Sequence, residues 1–219
     1  EILIGLVGSE MCIRDRWYDE TEDFVKAINK RNDIDFVIHG GDMSDFGVTK
    51  EFLWQRDIMN GLSVPYVTLI GNHDCLGTGA ETYKAIFGPT NFSFIAGDVK
   101  FVCLNTNALE YDYSEPVPDF TFMENELTNR TDEFNKTVIS MHARPYTDVF
   151  NDNVVKMFQH YVKQYPGIQF CTAAHTHHYR DDVIFDDGIH YVTSDSMDKR
   201  TYLVFTITPE KYEYELVKY

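Results

Sequence analysis

Basic residues are scarce in this chain: 19 Lys and Arg stand against 35 Asp and Glu, a net charge of −16 over 219 residues. So negative a surface repels nucleic-acid phosphates and excludes broad electrostatic binding to long DNA or RNA. It leaves room for a small phosphorylated substrate held through metal. Long apolar runs are missing as well. None approaches the roughly 18 residues of a membrane helix, and no secretory signal opens the chain. The four cysteines, Cys12, Cys75, Cys103 and Cys171, show no CxxC spacing and no disulfide framework. Three of them sit in or beside apolar strand-like runs and read as buried free thiols. No linker, repeat or low-complexity tract divides the sequence, which reads as one domain over residues 1–219. With 43% apolar and 25% charged residues the composition is that of a globular protein, not a disordered one.

What is present is an alternation of short apolar runs and longer amphipathic ones. Ile2–Val7, Asp35–His39 and Pro65–Ile70 read as strands, separated by helices over Asp19–Asn32 and Thr49 to about Asn60. Asp19 is a candidate N-cap, with Glu22 three residues on. Phe92–Ala96 and Lys100–Asn105 flank Gly97-Asp98, a hairpin signal. Helices are then expected over Phe120–Asn129 and Asn153–Tyr165, and strands over Thr137–Met141, Ile168–Ala173, Val183–Phe185, His190–Ser194, Thr201–Ile207 and Tyr212–Val217. In the last of these, Tyr212, Tyr214 and Leu216 alternate with Glu213 and Glu215, which predicts one covered face.

Four strand ends carry metal-capable residues: Asp42, Asn72-His73-Asp74, His142, and His175 with His177. Each is weak alone, because a lone strand-end His is more often structural. Together they are O and N donors on loops that one edge of a sheet brings together, where open α/β sheets bind ligands. Mn²⁺, Fe²⁺ and Zn²⁺ accept such a mixture, whereas Ca²⁺ wants more oxygens.

In order and context, Gly41-Asp42, Gly71-Asn72-His73-Asp74, His142 and Ala174-His175-Thr176-His177 resemble the motif series of calcineurin-like metallophosphoesterases. The resemblance runs from about Trp17 to the end of the chain. It implies an α/β fold of two packed mixed β-sheets flanked by helices, a four-layer α/β/β/α sandwich with a dinuclear metal site at the sheet edge. It implies that Asp42 bridges two divalent ions (Mn, Fe or Zn), that Asn72, His142 and His175 complete the second site, and that His177 belongs to the first. The chemistry agrees, since one carboxylate can hold two cations about 3.5–4 Å apart, and such a pair acidifies water and neutralises phosphoryl charge. His73 is expected to protonate the leaving oxygen or stabilise the transition state, and Asp74 to hold the His73 ring in one orientation. The expected activity is hydrolysis of a small phosphomonoester or phosphodiester by a metal-activated water, with no covalent nucleophile. A non-catalytic metal-binding scaffold of the same fold is the rival, against which the presence of His73 and Asp74 speaks. A cyclic-nucleotide phosphodiesterase is a second.

Two departures stand out. Ala174 replaces the usual Gly before His-x-His, and the Asp-x-His that follows the family's first strand is missing. In its place, Leu6–Arg16 resembles one translated frame of a transposase-based sequencing-library adapter, Leu-Val-Gly-Ser-Glu-Met-Cys-Ile-Arg-Asp and then Arg. This reading makes residues 6–16 non-native, the domain N-terminally incomplete, and the second metal site tighter than the first. The competing reading aligns Ser9-Glu10-Met11-Cys12 with Ser-Asp-x-His, since Glu10 and Cys12 can both bind metal. The Tyr- and Phe-rich remainder resembles members from Bacteroides-type organisms, which implies a cell-envelope lipoprotein, with a cytoplasmic location as the alternative.

Arg144 has two readings: a bidentate clamp on a substrate phosphate, or a surface Arg paired with one of many acids. His39, His160, His178 and His190 are assigned structural or surface places. Tyr111 and Tyr113 lie in an acidic, aromatic and Pro-rich stretch, 105–118, that either shapes a pocket or covers core.

Overall fold

A computed structural model describes residues 1–8 and 16–219. Glu10, Cys12 and most of the adapter-like segment therefore lie outside the described residues. In chain order the elements are β1 (Ile2–Val7), α1 (Arg16–Ile28), β2 (Phe36–His39), α2 (Thr49–Met59), β3 (Tyr66–Thr68) and α3 (Gly79–Phe87). There follow β4 (Phe92–Ala96), β5 (Val99–Leu104), α4 (Phe120–Thr128), β6 (Lys136–Met141), α5 (Val155–Val162) and β7 (Ile168–Ala173). The chain closes with β8 (Arg180–Asp182), β9 (His190–Thr193), β10 (Thr201–Ile207) and β11 (Tyr212–Lys218).

The strands form two mixed sheets. One has the order β11-β10-β1-β2-β3 and the other β4-β5-β6-β7-β9-β8. β1, β2 and β3 run parallel, as do β5, β6, β7 and β9, while β10, β11, β4 and β8 pair antiparallel. The parallel strands are apolar and β-branched because both of their faces are covered. Between the sheets lie Ile4, Leu6, Phe36, Ile38, Phe101, Cys103, Val138, Phe170, Leu203 and Phe205. Outside the first sheet, Phe24, Val25 and Ile28 of α1 pack with Phe52 and Met59 of α2 and Tyr83 of α3. Outside the second, Met123 of α4 packs with Val155, Phe158 and Val162 of α5. Three apolar layers between four layers of structure give the expected α/β/β/α sandwich.

Several local expectations shift. α1 starts at Arg16, so Asp19 lies in its first turn, where a carboxylate suits the helix dipole, and is not the N-cap. α3 was not expected; it is held by Tyr83, whose buried hydroxyl lies 2.6 Å from Thr68 Oγ1 at the end of β3. The strand expected at Val183–Phe185 is Arg180–Asp182 instead, paired to β9 at the sheet edge. The apolar signal there belongs to Ile184 and Phe185, which pack on the outer core of that sheet. In β11, Tyr212 and Tyr214 turn toward the inter-sheet core as expected, but Leu216 is 41% exposed. Cys103 and Cys171 are buried free thiols, and Cys75 is a half-buried one. Among the described residues no helix is long and apolar enough to cross a membrane.

Candidate metal centre

The functional side chains come from the ends of four parallel strands, two in each sheet, so the edges of both sheets build the site. Asp42 follows β2, Asn72–Asp74 follow β3, His142 follows β6, and His175 and His177 follow β7. The sheets are tied together here by His142, whose Nδ1 donates to the Gly40 carbonyl across the sandwich at 2.7 Å.

The loops approach closely enough to require glycine and tolerate strain. Gly41 has φ +104°, and a Cβ on it would stand 2.6 Å from His142 Nδ1. A Cβ on Gly71 would stand 2.0 Å from Asp42 Oδ1. Asp42, His175 and His177 themselves hold φ of +56°, +62° and +57°, the left-handed region that non-glycine residues enter at a cost. Such outliers gather where a site over-determines the backbone.

Asp42, Asn72, His142 and His175 meet. His142 Nε2 lies 3.1 Å from Asn72 Oδ1 and 3.4 Å from Asp42 Oδ2. Asn72 Oδ1 is also 3.1 Å from His175 Nδ1. The protonation pattern makes this contact informative. Because His142 gives its Nδ1–H to a carbonyl, its neutral ring turns a lone pair on Nε2 toward two oxygens. Burial, followed by the charge of His175, holds the His142 pKa well below its ordinary value, so the ring is neutral. Burial and then the charge of Asp74 push Asp42 well above the usual carboxylate range. Its ion-pair partner among the described residues is that same neutral His142. A carboxylate oxygen, an amide oxygen and an imidazole lone pair facing one another repel, and a cation among them removes the repulsion. A mixed N and O set of this kind suits borderline divalent ions. Among the described residues no three His, Cys, Asp or Glu groups cluster as metal ligands; His175 is linked to His142 and Asp42 through the Asn72 amide oxygen.

His177 is half-buried, and burial lowers its pKa. His73 hangs beside the cluster: its backbone N–H donates to Asp42 Oδ1 at 3.1 Å, and its ring Nδ1 donates to the Asp45 carbonyl at 2.9 Å.

Asp74 does not orient the His73 ring, contrary to the sequence expectation. It is fully buried and accepts from the Ser44 backbone and hydroxyl at 2.8 and 3.0 Å and from the Gly71 backbone at 2.9 Å. The carboxylate is spent on bracing one loop against the other, and the Asp45 carbonyl takes the role expected of it. Burial lifts its pKa to about 6. Arg144 is turned to Asp182, with Nη2 to Oδ2 at 3.0 Å, which is the acid-paired reading of that residue. His39 is buried, its Nδ1 accepting from the Gly41 backbone N–H at 3.3 Å, and His178 is exposed.

Sequence reasoning missed three acids near the site. Asp148 Oδ1 accepts from His175 Nε2 at 2.6 Å. Asp45 places Oδ1 3.6 Å from His73 Nδ1. Glu110, in the turn of Tyr111, has its pKa raised by burial, an effect that the charges of His73 and His175 oppose. The stretch around Tyr111 pointed to this last region: Tyr111 Oη accepts from Asn105 Nδ2 at 3.2 Å and docks the turn on Cys75, while Tyr113 is 51% exposed. Asp148 carried no spacing signal.

A family model described as calcineurin-like phosphoesterase matches residues 14–179. A 3′,5′-cyclic-nucleotide phosphodiesterase of Nostoc sp. is 25% identical over 130 residues, 57% of this chain and 48% of that protein. The chain thus spans about half the length of that curated relative. A dimetal phosphatase of Danio rerio superposes with a TM-score of 0.79 at 10% identity, covering 99% of this chain and 97% of that one. The calcineurin-like phosphoesterase YfkN of Bacillus subtilis gives a TM-score of 0.54 at 12% identity, covering 99% and 90%. At these identities the two structures share the fold.

Proposed function

The chain belongs to the calcineurin-like phosphoesterases, and on that premise we propose that it hydrolyses a small phosphomonoester or phosphodiester at a dinuclear metal centre. The observation that carries the reading is the meeting of Asp42 Oδ2, Asn72 Oδ1, His142 Nε2 and His175 Nδ1. These four would hold one ion, and Asp42 with His177 would face the other. Bound Mn²⁺, Fe²⁺ or Zn²⁺ supplies Lewis acidity to water and to phosphoryl oxygens.

The protein groups do the rest. Asp42, buried and strained, is fixed by the His73 backbone, so little reorganisation accompanies binding. The neutral Asn72 amide adds a ligand without adding charge near an anionic substrate. His73, anchored at Nδ1 on the Asp45 carbonyl with the Asp45 carboxylate 3.6 Å away, would give a proton from Nε2 to the leaving oxygen when its ring carries both protons, as the imidazolium. The −16 charge of the chain makes cations the means of attracting a phosphate.

The test is Mn²⁺-dependent hydrolysis of aryl phosphate monoesters, aryl phosphate diesters and 3′,5′-cyclic nucleotides by the wild type and His73→Ala. Turnover of at least one class, reduced about 10²–10⁴-fold in the variant, supports the reading. Cyclic-nucleotide turnover would align the chain with its Nostoc relative. Absence of turnover, or turnover unchanged in His73→Ala, favours a metal-binding scaffold.

A further inference from the structure

Asp148 lies outside the four converging acceptors but grips one of them. A carboxylate oxygen accepts, so its 2.6 Å contact with His175 Nε2 puts the ring proton on Nε2. Asn72 Oδ1, 3.1 Å from Nδ1, is an acceptor as well, so His175 faces acceptor oxygens at both ring nitrogens. A ring with one proton places it on the shorter, carboxylate contact at Nε2. The Nδ1 lone pair is left on the Asn72 side, where a cation would relieve the facing lone pairs. A ring protonated on Nδ1 would point a hydrogen into the cluster and could not ligate from that side.

Although the Asp148 side chain is 79% exposed, its backbone is well anchored. Val149 and Phe150, which follow it, are 3% and 2% exposed. The Thr147 hydroxyl donates to the Arg144 carbonyl at 2.7 Å, and Leu109 N–H donates to the Val149 carbonyl at 3.2 Å. The carboxylate is therefore presented from a fixed loop, on the side of His175 opposite the cluster.

We propose that Asp148 is a positioning residue that fixes His175 as its Nε2–H tautomer and so aims the Nδ1 lone pair at the metal seat. The inference rests on the metal reading above and deepens it. Outer carboxylates that hold a ligating imidazole in this way are typically worth about 10–100-fold in metal affinity.

Two measurements test it on the full chain. The tautomer of His175 is read in the metal-free protein from long-range ¹H–¹⁵N correlations of the ring, and Mn²⁺ affinity is read by equilibrium dialysis. The panel is wild type, Asp148→Ala, Asp148→Asn and Asp112→Ala, the last removing an exposed acid from the neighbouring turn as a charge control. The expected result is an Nε2–H ring in the wild type, a mixed or inverted tautomer in Asp148→Ala, and Mn²⁺ binding weakened about 10–100-fold there. Asp148→Asn, whose amide oxygen still accepts, should recover most of both, and Asp112→Ala should match the wild type. An unchanged tautomer in Asp148→Ala, unchanged Mn²⁺ affinity, or an equal loss in Asp112→Ala overturns the proposal. Wild type that binds no Mn²⁺ overturns the metal reading, and the tautomer still reports separately on the Asp148–His175 pair.

Discussion

At the scale of single residues, neighbours in the chain have opposite jobs. His73 and Asp74 are adjacent, yet His73 stands at the cluster and Asp74 is sealed beneath it, accepting from Ser44 and Gly71. Asp74→Ala should therefore act on stability, orphaning two buried backbone donors at about 1–3 kcal/mol each, whereas His73→Ala should leave the urea midpoint nearly unchanged. Comparable midpoints for the two variants would contradict this division. Gly71→Ala should abolish Mn²⁺ binding, because the new methyl would lie 2.0 Å from Asp42 Oδ1; retained binding would show that the loop yields. His39, fully buried, has its pKa pushed down to about 3 by burial. A depressed pKa means that the unfolded chain takes up a proton before the folded one does. The stability it contributes is complete above the unfolded value near 6.5 and is lost as pH falls toward 3. That limb has a slope of about 1.4 kcal/mol per pH unit. Chemical denaturation of His39→Gln should show a shallower acid limb than the wild type.

At the scale of elements, the strands were legible because their apolar runs are short, β-branched and closed by Gly, Asp or His. Asp42, Asn72, His142 and His175 could be found because each sits directly at such a stop. Asp148 could not, since it reaches His175 only through tertiary placement of the loop after β6. α3 was missed because it is only nine residues long and opens at Gly77-Thr78-Gly79, which reads as a turn, although Tyr83, Ile86 and Phe87 pack it into the outer core. The dual reading of Arg144 turned on an edge strand, β8, whose pairing is set by β9 and not by its own composition. Lys100, the second residue of β5, likewise owes its place to tertiary partners. It is 1% exposed and donates to the Glu126 and Asn129 carbonyls at 2.7 and 2.8 Å, closing the end of α4, and pairs with the Glu126 carboxylate at 2.8 Å. Lys100→Ala should cost about 3–5 kcal/mol in urea unfolding, because it strands a carboxylate. A joint Lys100→Met and Glu126→Leu replacement should cost clearly less, and equal losses would show that packing rather than charge dominates.

At the scale of the whole molecule, two sheets and three apolar layers bring residues 42, 72, 142 and 175 into one chain of contacts, Asp42 to His142 to Asn72 to His175. The interior that does this leaves a carboxylate buried against neutral partners, in a chain whose net charge is already −16. Divalent cation should therefore stabilise the fold as well as serve chemistry, by about 2.7 kcal/mol at a hundred times Kd. A Tm that rises with Mn²⁺ in the wild type and not in Asp42→Ala is the expected outcome. The most direct test of the metal seat is the Mn²⁺ content per chain after gel filtration, measured by elemental analysis for the wild type and Asp42→Ala. The account predicts about one tightly held Mn²⁺ in the wild type, at the more complete of the two sites, and none in the variant. A wild type that retains no Mn²⁺, or an Asp42→Ala protein that retains as much, would contradict it.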